Sequence, residues 1–222
     1  MPKRGKYIVI EGADGTGKTT QVRMLADYNV SVLGRKSLLL CNPETGEMEP
    51  LQEPRGSERA NENWKRLKDA SHPLSPWEQV KLLTDSRQST WQEHILPALE
   101  AGFDVIASRS YVSTLAYQGV GLGVDLEKIN NYTQEQVGEE YMQPDMLILL
   151  HLNDEDERAK RVSGDDAQYE TDRFESMEME FQTRMQQAYI AIGNTLSARM
   201  IDASQSKKEV FKEVRDNYLT LI

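Results

Sequence analysis

The chain has 222 residues, 38% of them apolar and 28% charged, which is enough apolar material for one packed domain and too polar throughout for a membrane span of ~20 consecutive apolar residues. Lys and Arg number 26 against 36 Asp and Glu, a net charge of −10. That disfavours general binding to nucleic-acid backbone but allows a local basic pocket for a small phosphate compound.

The basic start has too short an apolar stretch to be a secretory leader. Tyr7–Ile10 reads as a buried strand and Thr19–Tyr28 as a helix with Val22, Leu25 and Ala26 at helical spacing. Ser37–Cys41 reads as a second strand, with Cys41 as a buried, inert thiol and the only cysteine. The polar stretch Asn42–Pro50 is a hairpin or an insertion. Pro76 near the start and Gly102 beyond the end frame a long helix over Pro76–Leu99. Strands follow at Phe103–Ala107, Met146–Leu152 and Arg199–Ile201, with helices over Glu175–Leu196 and Lys207–Leu219. Apolar strands alternating with helices predict an α/β fold: a parallel sheet of about five strands flanked by helices on both faces. The whole chain, 1–222, reads as a single domain. The polar run Ser163–Asp172 lies between two helices and suits a mobile flap, about residues 158–173. A cytoplasmic location is expected.

Gly12-Ala13-Asp14-Gly15-Thr16-Gly17-Lys18-Thr19 fits the pattern G-x-x-x-x-G-K-[ST] between a strand and a helix. Glycines let successive N–H groups curl toward one phosphate oxyanion, the lysine adds a point charge at the β- and γ-phosphates, and the Thr19 hydroxyl can coordinate Mg²⁺. With Thr20, this run is the expected site for a nucleoside triphosphate, and Lys18 is a candidate catalytic residue. Arg87 lies on the helical stripe of Val80, Leu83 and Trp91, so its guanidinium needs an anion or acceptor at its end. Arg109 lies just past a strand end, where its fork suits a monophosphate. Ser113 and Tyr117, and Thr114 and Gln118, are four apart on one helix face that could read a base edge and a deoxyribose. His72, His94 and His151 are scattered and suggest no metal site.

Lys6-Tyr-Ile-Val-Ile-Glu-Gly-Ala-Asp-Gly-Thr-Gly-Lys-Thr-Thr20 resembles the opening of thymidylate kinases. Glu53-Pro54, Arg87, Arg109 with Ser113-Thr114-Leu-Ala-Tyr117-Gln118-Gly119, Pro144-Asp145, Asp172-Arg173-Phe174-Glu175 and Ile201-Asp202-Ala203 continue the resemblance in order over almost the whole chain. It implies a P-loop NTPase fold with a lid, and transfer of the ATP γ-phosphoryl group to a deoxypyrimidine monophosphate, dTMP first, in deoxynucleotide biosynthesis. By resemblance, Thr114 and Gln118 face the base and Tyr117 crowds the sugar 2′ position. Asp14 binds the 3′-hydroxyl or helps hold the acceptor phosphate, Glu53, Leu83 and Ser113 line the substrate site, and Glu175 supports Mg²⁺ with Thr19. A homodimer is implied by the family alone; the other expected partners are small nucleotides, not nucleic acid or membrane.

Some thymidylate kinases carry an arginine at the position of Gly15 and others in the flap. Gly15 cannot supply it, so Arg158 or Arg161, three apart, is expected to close over the phosphates. Other departures are Ser108 in place of the usual aspartate, Gln52 in place of an arginine with Arg55 nearby, and Leu83 in place of the aromatic residue that stacks on thymine. They leave open a kinase for a 5-substituted dUMP. A deoxyribonucleoside kinase, with Glu53 as base, and a P-loop switch protein are the rival readings; no D-x-x-G switch follows the loop at a plausible place.

Overall fold

The computed structural model describes residues 3–43, 45–154, 157–158, 160–161 and 179–222. Seven strands appear among them: β1 (Tyr7–Glu11), β2 (Leu40–Cys41), β3 (Met48–Glu49), β4 (Leu51–Gln52), β5 (Val105–Ser108), β6 (Met146–His151) and β7 (Arg199–Asp202). Five form one sheet in the order β4-β5-β1-β6-β7, every neighbouring pair parallel. The expected five-stranded parallel sheet is therefore what the chain forms. Because β1 is central and the chain winds away from it on both sides, a crevice opens above its carboxyl end.

Alternation along β1 divides the core. Tyr7 and Val9 face one layer, with Trp91, Tyr111, Leu115, Tyr141 and Met185. Ile8 and Ile10 face the other, with Val22, Leu25, Val210, Val214 and Tyr218. Both layers are sealed, and each large apolar side chain so buried contributes roughly 1.5–3 kcal/mol. Helix α1 (Lys18–Ser31) and the last helix, α9 (Lys207–Leu219), cover the second layer. Helices α2 (Glu58–Lys68), α3 (Pro76–Thr90), α4 (Leu96–Glu100), α5 (Tyr111–Thr114), α6 (Leu126–Val137), α7 (Glu139–Met142) and α8 (Met179–Thr195) complete the described set.

The second strand is where the sequence reading needs correction. Ser37 bridges Asp104 in parallel, so continuing that register would place residue 40 opposite Ala107, yet Leu51 is found there. The chain reaches the sheet edge eleven residues late because Leu40–Cys41 turns out into an antiparallel hairpin with Met48–Glu49. The polar excursion is that hairpin, and it carries Cys41 outward, where the thiol is exposed and not buried.

The long helix predicted over Pro76–Leu99 starts where expected. Ser75 and Glu78 form a reciprocal capping box, with Pro76 in the first turn. It does not continue as one α-helix. A π turn, Trp91–Ile95, precedes Pro97, and the Leu96 N–H bonds back to the Trp91 carbonyl. Pro97 has no N–H to extend the ladder, which accounts for the change of pitch. A second π segment, Leu115–Gly121, continues α5. The expected strand Phe103–Ala107 is displaced to Val105–Ser108, which puts Arg109 at its exit. Among the described residues no helix is long and apolar enough to cross a membrane.

Candidate active site

The loop between β1 and α1 closes over its own backbone. Gly12 has φ 147°, and a Cβ there would lie 2.3 Å from the Leu150 carbonyl oxygen, so only glycine fits. The Thr16 hydroxyl and Lys18 Nζ each donate to the Ala13 carbonyl at 2.8 Å. Lys18 Nζ lies 3.7 Å from Asp14. Gly17 caps α1 in the left-handed region without a side-chain bond, and the first turn holds no acidic residue. The positive end of α1 is thus left for an anion. Burial, followed by the Arg109 charge, lowers the Lys18 pKa to about 8 despite Asp14 nearby.

The exit of β5 is fixed by a residue that sequence reasoning passed over. Arg109 has φ 69°, unusual for a side-chain-bearing residue, and its N–H donates to the Ile10 carbonyl at 3.1 Å. Glu11, wholly buried at the end of β1, accepts from the Ser110 N–H (2.6 Å), the Ser110 hydroxyl (2.9 Å), the Ser113 N–H (3.2 Å) and the Ser113 hydroxyl (2.9 Å). One carboxylate therefore caps the start of α5 and locks the turn that presents Arg109. A charged residue ending an apolar strand must find such partners when buried, and that was the signal available in the sequence.

Arg109 lies against the phosphate loop. It pairs closely with Asp14, and its Nη1 donates to the Ser113 hydroxyl and the Tyr189 hydroxyl, each at 3.3 Å. The Tyr117 hydroxyl donates to the other Asp14 oxygen at 2.6 Å. Burial opposes ionisation of Asp14, but the Arg109 and Lys18 charges and the Tyr117 hydroxyl outweigh it and hold the carboxyl well below the usual range. Since Ser113 donates to Glu11, the Tyr189 hydroxyl donates to Ser113, at 2.8 Å. Tyr189 lies on the apolar stripe of Phe181, Met185 and Ile192, where nothing in the sequence sets it apart from core.

Arg87 has the acceptors its apolar stripe demanded, and the protein supplies them. Nε donates to Glu53 at 3.1 Å, Nη1 to the Thr114 hydroxyl at 3.0 Å and Nη2 to the Ser110 carbonyl at 2.7 Å. The Glu53 side chain is fully enclosed and accepts from Tyr141 at 2.6 Å and Tyr7 at 3.2 Å. Burial pushes its pKa up to about 7 against the pull of Arg87 and the two tyrosines. Glu53 thus stands behind Arg87. Leu83 and Thr114 are buried beside this group, and Gln118 donates to Gln79 at 3.1 Å.

On the far side, Arg158 and Arg161 both lie in helical backbone. Arg158 is 4% exposed. Arg161 donates from Nε to Glu157 at 3.0 Å and from Nη1 to the Ala203 carbonyl at 2.9 Å, in the loop after β7. Glu175, the Asp172–Glu175 motif and the remainder of the expected flap lie outside the described residues. No group of three or more His, Cys, Asp or Glu side chains suited to a metal ion occurs among the described residues.

The thymidylate kinase family profile matches residues 10–214. A thymidylate kinase of Carboxydothermus hydrogenoformans is 31% identical over 212 residues, covering 96% of each chain. One from a Synechococcus strain is 32% identical over 214 residues, covering 96% of this chain and 94% of its own. Among solved structures, the thymidylate kinase of Ehrlichia chaffeensis superposes with a TM-score of 0.71 at 22% identity over 97% of this chain and 99% of its own, a likeness of fold.

Proposed function

The chain belongs to the thymidylate kinase family, and from that premise we propose that it transfers the γ-phosphoryl group of ATP to the 5′-phosphate of dTMP, giving dTDP and ADP. The observation that carries this reading is the meeting of Arg109, Asp14 and Tyr117 at the mouth of the phosphate loop. A guanidinium at a strand exit, backed by a buried carboxylate network, is an anion clamp facing the nucleotide triphosphate site. The tyrosine beside it closes the space next to the sugar.

Phosphoryl transfer between nucleotides needs alignment and neutralisation of charge, and no covalent enzyme intermediate. An oxygen of the acceptor phosphate attacks the γ-phosphorus, the bond to the β–γ bridging oxygen breaks, and ADP leaves with that electron pair. The acceptor phosphate is already an anion, so no general base is required. Arg109 holds it in line. Lys18 turns from the Ala13 carbonyl to the β- and γ-phosphates, and the N–H groups of the loop cradle them. Asp14 keeps Arg109 oriented and is placed to meet the 3′-hydroxyl. The donor set fits Mg²⁺ that arrives with the nucleotide: Thr19 offers a hydroxyl at the loop, and this ion is commonly held by few protein ligands plus phosphates. When bound, the ion neutralises phosphate charge. Glu175 is the further candidate ligand, and Arg158 the candidate second cation.

The test is ADP release with ATP, Mg²⁺ and a panel of dTMP, 5-substituted dUMP, dCMP, dAMP and thymidine. The highest kcat/KM is expected for dTMP. A preference for a purine monophosphate or for unphosphorylated thymidine would contradict the assignment.

A further inference from the structure

The hydrogen-bond directions around Gln118 can be fixed without reference to any ligand. Gln79, in the first turns of α3, donates from Nε2 to the Leu74 carbonyl at 3.1 Å. A carbonyl can only accept, so this end of Gln79 must be its NH₂. The other end, Oε1, is thereby turned toward Gln118, and it accepts from Gln118 Nε2 at 3.1 Å. Gln79 and Gln118 are 7% and 2% exposed, so neither amide can rotate without stranding a buried polar group. The outcome is that the Gln118 NH₂ is held on Gln79 by one of its two N–H groups. Its carbonyl oxygen accepts no hydrogen bond among the described residues.

One turn back, Thr114 accepts from Arg87. Arg87 commits three of its N–H groups to Glu53, Thr114 and the Ser110 carbonyl, and a guanidinium has five. Two donors therefore remain on Arg87, whose partner Thr114 lies four residues before Gln118 on the same helical run. A thymine or uracil edge offers the complement: an N3–H that donates beside a C4 carbonyl that accepts. Cytosine offers an N3 that accepts beside an amino group that donates, which is wrong at both positions.

We infer that Gln79 is the positioning residue that sets base specificity: by fixing the Gln118 amide with its carbonyl toward the acceptor nucleoside, it makes the site select a pyrimidine carrying N3–H and reject cytosine. This deepens the proposed function and rests on it. Gln79 acts in this scheme through Gln118.

The experiment compares kcat/KM for dTMP and dCMP in the wild-type enzyme, Gln79→Met and Gln79→Glu, with melting temperatures alongside. Methionine keeps the volume and removes the constraint, so Gln118 can turn. The dTMP/dCMP preference should fall at least about tenfold, mainly through a higher KM for dTMP, because an unpaired buried polar group is the source of such discrimination. Protonated glutamate reproduces both bonds, its O–H donating to the Leu74 carbonyl and its other oxygen accepting from Gln118, so Gln79→Glu should retain the preference in mildly acidic buffer and lose it as the carboxyl ionises. Gln79→Ala replaces the methionine variant should that one not fold. A wild-type preference in Gln79→Met, or a loss in Gln79→Glu that is equal to it at mildly acidic and at neutral pH alike, would overturn the inference while leaving dTMP kinase activity intact. A wild-type enzyme that favoured dCMP would overturn both readings.

Discussion

The two halves of the cleft are built differently. On the side proposed for the acceptor, Arg87, Arg109, Glu11, Glu53, Asp14 and four tyrosines form a buried, mutually bonded set with directions fixed before any nucleotide arrives. On the donor side, Lys18 rests on its own loop carbonyl, the start of α1 has no side-chain cap, and Arg161 braces the loop after β7. The difference teaches where binding energy is used. On the proposed assignment the acceptor side presents a preformed geometry, whereas the donor side exchanges internal bonds for phosphate contacts as ATP enters.

Removing the central donor-side cation should have the largest effect. Lys18→Met is expected to lower kcat at least 100-fold, about 3 kcal/mol of transition-state stabilisation, with the melting temperature nearly unchanged. Near-normal turnover would leave the donor side without its main cation. Next, Glu11→Gln should lower kcat/KM for dTMP about tenfold or more, roughly 1.4 kcal/mol, because an amide cannot accept from four donors as the carboxylate does. The KM for ATP should stay within about twofold; equal losses for both nucleotides would mean that the halves are not separable. Arg158→Ala should lower kcat about tenfold, whereas Arg161→Ala should act mainly on the KM for ATP, through the Ala203 loop. Unchanged kinetics in both would place the second cation elsewhere, with Arg55 or Arg173 the next to replace.

The smallest effect concerns pH. Lys18 loses its proton as pH rises through about 8 in the free enzyme, and the triphosphate favours the protonated form. ATP affinity should therefore weaken above that pH, approaching about tenfold per unit, with proton uptake on binding. Calorimetry in two buffers of different ionisation enthalpy reads that uptake. Binding of dTMP should be flat over the same interval, since Asp14 stays ionised and Arg109 charged.

Much of this was legible in the residues. The Gly12–Thr19 pattern located the loop, and the stripe of Val80, Leu83 and Trp91 correctly demanded an acceptor for Arg87. Apolar strands alternating with helices gave the parallel sheet. The edge strand was not legible, because Leu38-Leu39-Leu40-Cys41 has strand composition while the pairing partner of β5 is the short Leu51–Gln52. Only the register across β5 reveals the detour. Glu11, Tyr189 and Gln79 act through partners 99, 76 and 39 residues away in the chain, and no local period marks such residues.

The contrast between the halves is tested most directly by titrating dTMP into the enzyme without ATP, by calorimetry, and repeating the titration with a non-hydrolysable ATP analogue bound. Saturable binding is expected in both, with Kd values within about threefold, a coupling below ~1 kcal/mol. Binding of dTMP only after the analogue is bound would contradict a preformed acceptor side.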